Sequence, residues 1–164
     1  MNIRLATALE LPILESLARA IWPHTYADII TKEQMDFMLN WMYSTETLLK
    51  QKKAGHEFYI LQKDDLDIGF LAIEQEGAEL KVNKIYVLPS QQGIGAGKKL
   101  MDKAIERANA KLCTHIFLQV NRANKAKFFY DKLGFTIRRE EKFDIGHGFF
   151  MDDYVMELKV DKAL

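Results

Sequence analysis

The sequence predicts one α/β domain, of the α+β kind, in which helices flank a central, mostly antiparallel sheet. Its 164 residues are enough for a single domain with its own core, and no Pro/Gly/Ser-rich linker or internal repeat divides them. Short apolar runs typical of strands alternate with segments in which apolar residues recur at helical spacing. Tight turns join the strands in the middle of the chain and helices join later ones, so a doubly wound parallel sheet is excluded. We therefore expect residues 1–164 to form one domain.

The first third of the chain is predicted to contain one short strand followed by helices. Thr7 and Glu10 form a capping box before the first helix, and Pro12 makes its first turn irregular. We expect Pro23 to end that helix, because proline interrupts helical hydrogen bonding. In order, the elements are a strand over 2–6, a helix ending at Trp22-Pro23, a helix from Thr31, and a short helix from Ser44 or Thr45 through Lys53.

The rest of the chain is predicted to alternate between strands and two further helices. Asp64-Asp65 and Glu76-Gly77 are turn sequences that separate three strands, and Gly134 ends the last helix. The elements are strands over 58–62, 68–74 and 80–88, a helix to Ala110, a strand over 115–120, a helix over 125–133, and strands over 136–142 and 150–159. We summarise the expected order as β-αα-βββ-α-β-α-β-β.

The charge balance and hydropathy exclude several classes of partner. Lys and Arg together number 23, as do Asp and Glu, so the formal net charge is zero. A broad electrostatic attraction to nucleic acid or to an anionic membrane is therefore not expected. No secretory signal or membrane-spanning stretch is visible, and a cytoplasmic location is the resulting expectation.

Neither the cysteine nor the histidines predict a disulfide or a metal site. Cys113, the only cysteine, follows an amphipathic helix and precedes an apolar run, which is typical of a buried, unreactive thiol. The histidines are scattered without metal-ligand spacing, so no metal is predicted. They are His24, His56, His115 and His147.

A glycine-rich segment, 92–99, predicts an anion site. It follows an apolar strand that ends at Pro89 and opens onto a helical pattern, so backbone N–H groups and the positive end of a helix dipole meet there. Two known phosphate loops fail on spacing. The Walker loop would need glycine at Gln92 and a hydroxyl at Lys99, and the dinucleotide fingerprint would need glycine at Lys98 or at Leu100.

A different pattern fits this loop, and a second segment extends it. The loop pattern Gln-x-x-Gly-x-Gly is satisfied by Gln92, Gly95 and Gly97. In the segment 118–135, a strand, a polar turn and a helix with an apolar stripe follow one another. Its motif positions are Val120, Asn124, Ala126, Tyr130, Gly134 and Phe135. Together the two segments resemble the GNAT superfamily of acetyl-CoA-dependent N-acetyltransferases, although Asn124 and Ala126 are two residues apart where the family has three.

The two ends of the chain carry a finer resemblance. Segments 21–26 and 146–156 are similar to a bacterial branch of the superfamily that includes polyamine acetyltransferases. The resemblance implies the GNAT acyl-CoA N-acyltransferase fold, acetyl-CoA as cofactor, and an N-acetyltransferase activity. A primary amine of a small molecule, such as a polyamine, or of a peptide would be the acceptor.

The resemblance also assigns residues to the cofactor. The loop would hold the pyrophosphate, and the strand before it would pair with the pantetheine and direct an N–H of Val87 or its neighbour at the thioester oxygen. The cofactor-binding residues are Ile85, Tyr86, Val87, Gln92, Gly93, Ile94, Gly95, Ala96, Gly97, Lys98, Asn124, Tyr130 and Lys132.

Two further residues receive chemical roles. By the resemblance Tyr130 is the general acid, because a phenol with a pKa of about 10 is protonated at neutral pH and can protonate a thiolate, whose reference pKa is about 8.5. Asn83 stands where many relatives carry an acidic residue, and it can position a water without acting as a base. The general base stays open between bulk water and residues acting through water: Glu79, His24, Tyr26 and His147.

The acceptor amine is expected between the first helices and the last strands. Trp22, His24 and Tyr26 are the predicted substrate-binding residues there. Two alternatives stay open: a non-catalytic acetyl-CoA-binding regulatory module, and an acetyltransferase that modifies proteins. A homodimer is the oligomer that base rates favour for a protein of this kind.

Overall fold

The computed structural model describes residues 1–160, so positions 161–164 of the predicted domain lie outside the described part. Three helices follow the first strand, and one helix follows each of the fourth and fifth strands. The strands are β1 Asn2–Leu5, β2 Glu57–Lys63, β3 Leu66–Glu76, β4 Glu79–Val87, β5 His115–Asn121, β6 Thr136–Gly146 and β7 Phe149–Lys159. The helices are α1 Leu11–Tyr26, α2 Lys32–Tyr43, α3 Thr45–Lys53, α4 Ala96–Ala110 and α5 Ala126–Leu133.

The strands form a mixed sheet in the order β1-β2-β3-β4-β5-β7-β6. β4 and β5 are parallel, and the pairs β1–β2, β2–β3, β5–β7 and β6–β7 are antiparallel. The predicted fold class, a mostly antiparallel sheet with flanking helices, is therefore confirmed. The segment between β1 and β2 holds three helices, of which α3 is the short helix that Ser44 caps by accepting a hydrogen bond from the Thr47 N–H (3.2 Å).

By packing, the chain divides into two compact units. The first unit contains residues 1–74 and 83–104, and the second contains 75–82 and the described residues from Ile105 onward. β4 and α4 each contribute to both units.

Helix α1, in the first unit, does not end at Pro23 as predicted. A short 3-10 turn, Ala8–Glu10, precedes it, which agrees with the irregular start predicted from Pro12. The helix then continues to Tyr26. Proline removes one N–H donor, but so close to the C-terminus only one intrahelical bond is lost. Because the helix continues, Trp22 and Tyr26 stay one turn apart on the same face, and their ring centroids lie 4.6 Å apart.

In the second unit, β5 is a central strand. Its residues 115–118 pair with residues 79–82 at the start of β4, and its whole length pairs with β7. Arg138 bonds the carboxylates of both Glu79 and Glu157, which ties β6 to β4 and β7. Because Arg138 holds Glu79 in this ion pair, Glu79 is a poor candidate for the open role of general base.

Helix α5 ends as predicted, and Cys113 is buried as predicted. Gly134 has φ of 97°, a left-handed conformation that favours glycine, and the N–H of Phe135 then bonds the Tyr130 carbonyl (3.0 Å). Burial raises the pKa of the Cys113 thiol, which keeps the thiol protonated and unreactive.

Candidate active site

The loop between β4 and α4 has the backbone that an anion site requires. Gly93 and Gly95 have φ of 81° and 84°, and an added Cβ at either glycine would meet no atom within 4 Å. The first α-helical bond runs from the Lys99 N–H to the Gly95 carbonyl (3.0 Å), so the preceding N–H groups belong to the first turn, which lacks intrahelical acceptors. Open space thus adjoins a helix N-terminus, and this arrangement fits a phosphate group.

The side chains of this loop have separate tasks. Gln92 donates its amide to the Val87 carbonyl (3.3 Å) and so fixes the loop to the end of β4. Ala96 is buried, whereas Ile94 is exposed. Lys98 pairs with Asp102 one turn along α4 (3.0 Å), and both side chains are exposed. We expect little binding energy from Lys98, because an exposed lysine already paired in water gains little from a second partner.

The backbone of Ile85, Tyr86 and Val87 is closely approached by β3 at one point. A Cβ on Gly69 would lie 2.7 Å from the Tyr86 carbonyl oxygen, so only glycine fits there without a backbone shift. This contact holds the last residues of β4 against β3, directly before the loop.

Five aromatic rings of the first unit meet beside this strand end. The tyrosine hydroxyls of Tyr26 and Tyr86 lie 2.9 Å apart and share a hydrogen bond. The Trp22 ring lies 5.5 Å from that of Tyr43 and 6.0 Å from that of Tyr86. We call this group the aromatic cluster: Trp22, Tyr26, Tyr43, Phe70 and Tyr86.

Buried polar atoms accompany the aromatic cluster. Trp22 Nε1 and the Tyr43 hydroxyl are both fully buried, and within the described residues the Tyr43 hydroxyl has only weak side-chain hydrogen bonds, with Trp22 and Tyr86. Burial raises the pKa of Tyr43 well above the usual range of a phenol, so this hydroxyl is neutral. Lys84, 3% exposed, lies beside them: its Nζ donates to Gln51 (3.1 Å) and stands 5.3 Å above the Tyr43 ring.

The structure places the three predicted substrate-binding residues differently. Trp22 and Tyr26 are buried members of the aromatic cluster. His24, two residues along the same helix, is exposed. Helical geometry turns His24 away from the face that Trp22 and Tyr26 share.

The predicted water-positioning residue, Asn83, faces a histidine. Its Nδ2 lies 3.5 Å from His56 Nδ1, and His56 Nε2 is paired with the Glu74 carboxylate. All three residues are half-buried.

In the second unit, Asn124 precedes α5 and Tyr130 lies within it. Asn124 Oδ1 accepts the N–H of Ala126 (2.9 Å) and so supports the start of the helix. Tyr130, 6% exposed, packs its ring 5.4 Å from that of Phe129 and 5.7 Å from that of Phe135. Lys132 is exposed on the last turn.

The second unit also buries a carboxyl group that the sequence did not single out. Asp153 lies on β7, opposite Asn121 of β5 and Glu141 of β6, and is 2% exposed. Burial, with a smaller contribution from the neighbouring Asp152 charge, raises the pKa of Asp153 to about 6.

We expect Asp153→Asn to stabilise the protein above pH 6. Because the pKa of Asp153 is higher in the folded state than in the unfolded state, its stabilising contribution is present below about pH 4 and lost as the pH rises through about 6. Asparagine avoids that loss, so the free energy of unfolding at pH 8 should rise by up to roughly 3 kcal/mol. Urea denaturation from pH 4 to pH 8 measures it, with the exposed Asp28→Asn as control. An equal increase in the free energy of unfolding at pH 4 and at pH 8 would contradict the prediction.

Within residues 1–160, no helix is both long and apolar enough to cross a membrane.

Comparison with known proteins identifies the family. The model of the acetyltransferase (GNAT) domain matches residues 54–137. The chain is 31% identical to the [ribosomal protein bS18]-alanine N-acetyltransferase of Haemophilus influenzae, over 63% of this chain and 70% of that one. It is 26% identical to the spermidine N(1)-acetyltransferase of Thermoplasma acidophilum, over 98% of both. The crystal structure of PaiA N-acetyltransferase from Thermoplasma acidophilum with coenzyme A superposes with a TM-score of 0.80 at 28% identity, over 97% and 99% of the two chains.

The chain therefore belongs to the GNAT family of acetyltransferases. As a member of that family it is an N-acetyltransferase, and acetyl-CoA is its acetyl donor.

Sequence reasoning missed part of the polar surroundings of β4. Lys84 carried no signal, because a lysine inside a strand ordinarily points to solvent. His56 stood alone in the sequence, far from Glu74 and Asn83. Tyr43 belongs to a helical stripe that is usually ordinary core, and only its fully buried hydroxyl distinguishes it.

Proposed function

We propose that this enzyme transfers the acetyl group of acetyl-CoA to a primary amine of a small polyamine. The observation that carries the proposal is the match to the spermidine enzyme over 98% of both chains, because it spans all the helices and strands that bear the aromatic cluster. The resemblance of the chain ends to the polyamine branch supports the same choice.

The loop and the strand before it would hold the donor. Backbone N–H groups of residues 92–98 would neutralise the pyrophosphate, and backbone groups of residues 85–87 would pair with the pantetheine arm. Acetyl-CoA supplies the thioester, and an N–H at Val87 or its neighbour would stabilise charge on the thioester oxygen.

Tyr130 would act as the general acid. Its phenolic proton would go to the sulfur as the carbon–sulfur bond breaks. The burial of Tyr130 on α5 supports this role, because its ring is held in one orientation by Phe129 and Phe135. Cofactor contacts by Asn124 and Lys132 stay predictions from the family resemblance.

The aromatic cluster would receive the amine end of the acceptor. Aromatic faces attract ammonium groups, and tyrosine hydroxyls accept hydrogen bonds from them. The half-buried Tyr86 supports this placement, because an amine would approach the cluster at this ring, the other members being buried. Trp22 and Tyr26 belong to this proposal, and His24, being exposed, would reach only a longer acceptor.

A peptide N-terminus is the second candidate acceptor. The relative that acts on the alanine of ribosomal protein bS18 has the higher identity, 31%, but it matches only 63% of this chain. The cytoplasmic location, the homodimer and the action of residues 1–164 as one domain likewise stay predictions.

A panel of amines scored by thiol release tests the proposed substrate class. We expect kcat/KM for spermidine to exceed that for a peptide with an N-terminal alanine by at least about tenfold, a difference of about 1.4 kcal/mol in transition-state binding. Acetyl-CoA without amine gives the hydrolysis background. A preference for the peptide would favour the second candidate, and turnover of neither amine would contradict the proposed function.

A further inference from the structure

The strongest unassigned feature is the group formed by Glu74, His56 and Asn83. The Glu74 carboxylate is paired with His56 Nε2, and the Asn83 amide nitrogen lies 3.5 Å from His56 Nδ1. The side chains of His56 and Glu74 are 15% and 22% exposed, so the imidazole is sheltered but within reach of water. We propose that His56 is the general base that deprotonates the amine through a water molecule positioned by Asn83, and that Glu74 positions its imidazole. The inference rests on the proposed function.

The hydrogen bonds define which nitrogen is basic. A carboxylate only accepts hydrogen bonds, so His56 Nε2 carries the hydrogen that Glu74 accepts. In the neutral imidazole Nδ1 is then left with the lone pair, and that lone pair faces the Asn83 amide. The same carboxylate stabilises the imidazolium that forms when Nδ1 takes a proton, as in a carboxylate–histidine pair of a hydrolase.

The sheet register places Glu74 on the same face of β3 as Phe70, a member of the aromatic cluster. Residues opposite each other in an antiparallel pair share a face, and so do alternate residues of one strand. Ile60 pairs with Phe70, a member of the cluster, and two residues along each strand Phe58 pairs with Ala72. Two residues further along β3 lies Glu74, and His56, the residue before β2, stacks its ring 6.4 Å from that of Phe58.

Polar groups, of which Lys84 is buried, connect the two places. The His56 N–H bonds the Gln51 carbonyl (3.0 Å), and the Gln51 side chain accepts from Lys84, whose Nζ stands above the Tyr43 ring of the cluster. Burying a charged group costs free energy, so the buried Lys84 is expected where function requires it.

The proposed step conserves protons. An amine that arrives as an ammonium ion gives one proton to Nδ1 through the water, and its nitrogen then forms the bond to the acetyl carbon. The carbon–sulfur bond breaks, the sulfur takes the Tyr130 proton, and the proton still to leave the nitrogen returns to Tyr130. His56 releases its proton to solvent, so ammonium and thioester give amide, thiol and one proton.

The plain alternative is a cross-strand ion pair with a structural role. His56→Gln and Glu74→Gln both preserve approximate shape, and we expect them to lower kcat/KM for the amine about 100-fold and about tenfold, respectively. Acetyl-CoA affinity should stay within about twofold in both. Arg4→Met is the matched control, because it removes a comparable ion pair of the first unit, with Glu10 and Asp67, and should leave kcat/KM unchanged.

Chemical rescue separates proton transfer from structural support. In His56→Ala, added imidazole should restore part of the rate, and the remaining rate should rise with pH toward the amine's own pKa as hydroxide replaces the base. Full activity of His56→Gln, with chemistry shown to limit turnover, would overturn the inference while the proposed function stands. Loss of activity without rescue and with weakened acetyl-CoA binding would also overturn it. A wild type that turns over no amine would overturn the proposed function, and the inference with it.

Discussion

Gly95→Glu is expected to abolish acetyl-CoA binding, with a dissociation constant raised at least about 100-fold, or about 2.7 kcal/mol. Two effects add. Gly95 has φ of 84°, a backbone conformation in which residues other than glycine are strained. The Cβ of any other residue would enter the open space proposed for the pyrophosphate. A glutamate there would also place its own negative charge at the helix N-terminus and the loop N–H groups, where it would repel the pyrophosphate.

Thermal shift measures this effect directly. Acetyl-CoA should raise the melting temperature of the wild type, because a ligand that binds only the folded state stabilises it. The shift should vanish in Gly95→Glu. Gly77→Glu is the matched control, since Gly77 also has a positive φ (59°) and open space but lies in the β3–β4 turn. If Gly95→Glu kept the wild-type shift, the loop would not be the cofactor site.

Tyr130→Phe is expected to lower kcat about 100-fold or more while leaving the affinity for acetyl-CoA nearly unchanged. Phenylalanine keeps the ring that packs against Phe129 and Phe135, so the fold of α5 should survive. What is lost is the proton for the departing sulfur. An effect on kcat without an effect on binding is what removal of an acid predicts.

The control for this variant is another tyrosine of the second unit. Tyr154→Phe removes a hydroxyl that accepts a hydrogen bond from Arg122 (3.4 Å), and it should leave kcat unchanged. Single-turnover kinetics shows whether chemistry limits the rate in each protein. An unchanged chemical step in Tyr130→Phe would exclude Tyr130 as the acid.

Local signals in the sequence predicted most of the fold. Alternating apolar residues and turn pairs such as Asp64-Asp65 gave the middle strands to within about two residues, because strand bounds depend on neighbours in sequence. The predicted end of α1 was wrong because tertiary packing outweighs the effect of the proline. Pro23 costs one hydrogen bond, whereas continuing the helix buries Trp22 and Tyr26 against each other.

The candidate site was predictable only where its chemistry is local. The glycine loop is a contiguous motif, and Gly93 and Gly95 allow the positive φ angles that its backbone needs. The base proposed here was not predictable, because His56 precedes β2 whereas Glu74 and Asn83 lie in β3 and β4, so the three meet only in the folded chain. The same holds for Asp153, whose burial depends on its neighbours in β5 and β6.

The most direct test of the account is mass analysis of spermidine incubated with acetyl-CoA and the wild-type enzyme. We predict a product that carries one acetyl group on a primary amine, formed together with one equivalent of free thiol. Gly95→Glu should form neither. Thiol release without an acetylated amine, or acetyl-CoA binding with no transfer to any amine of the panel, would contradict the account.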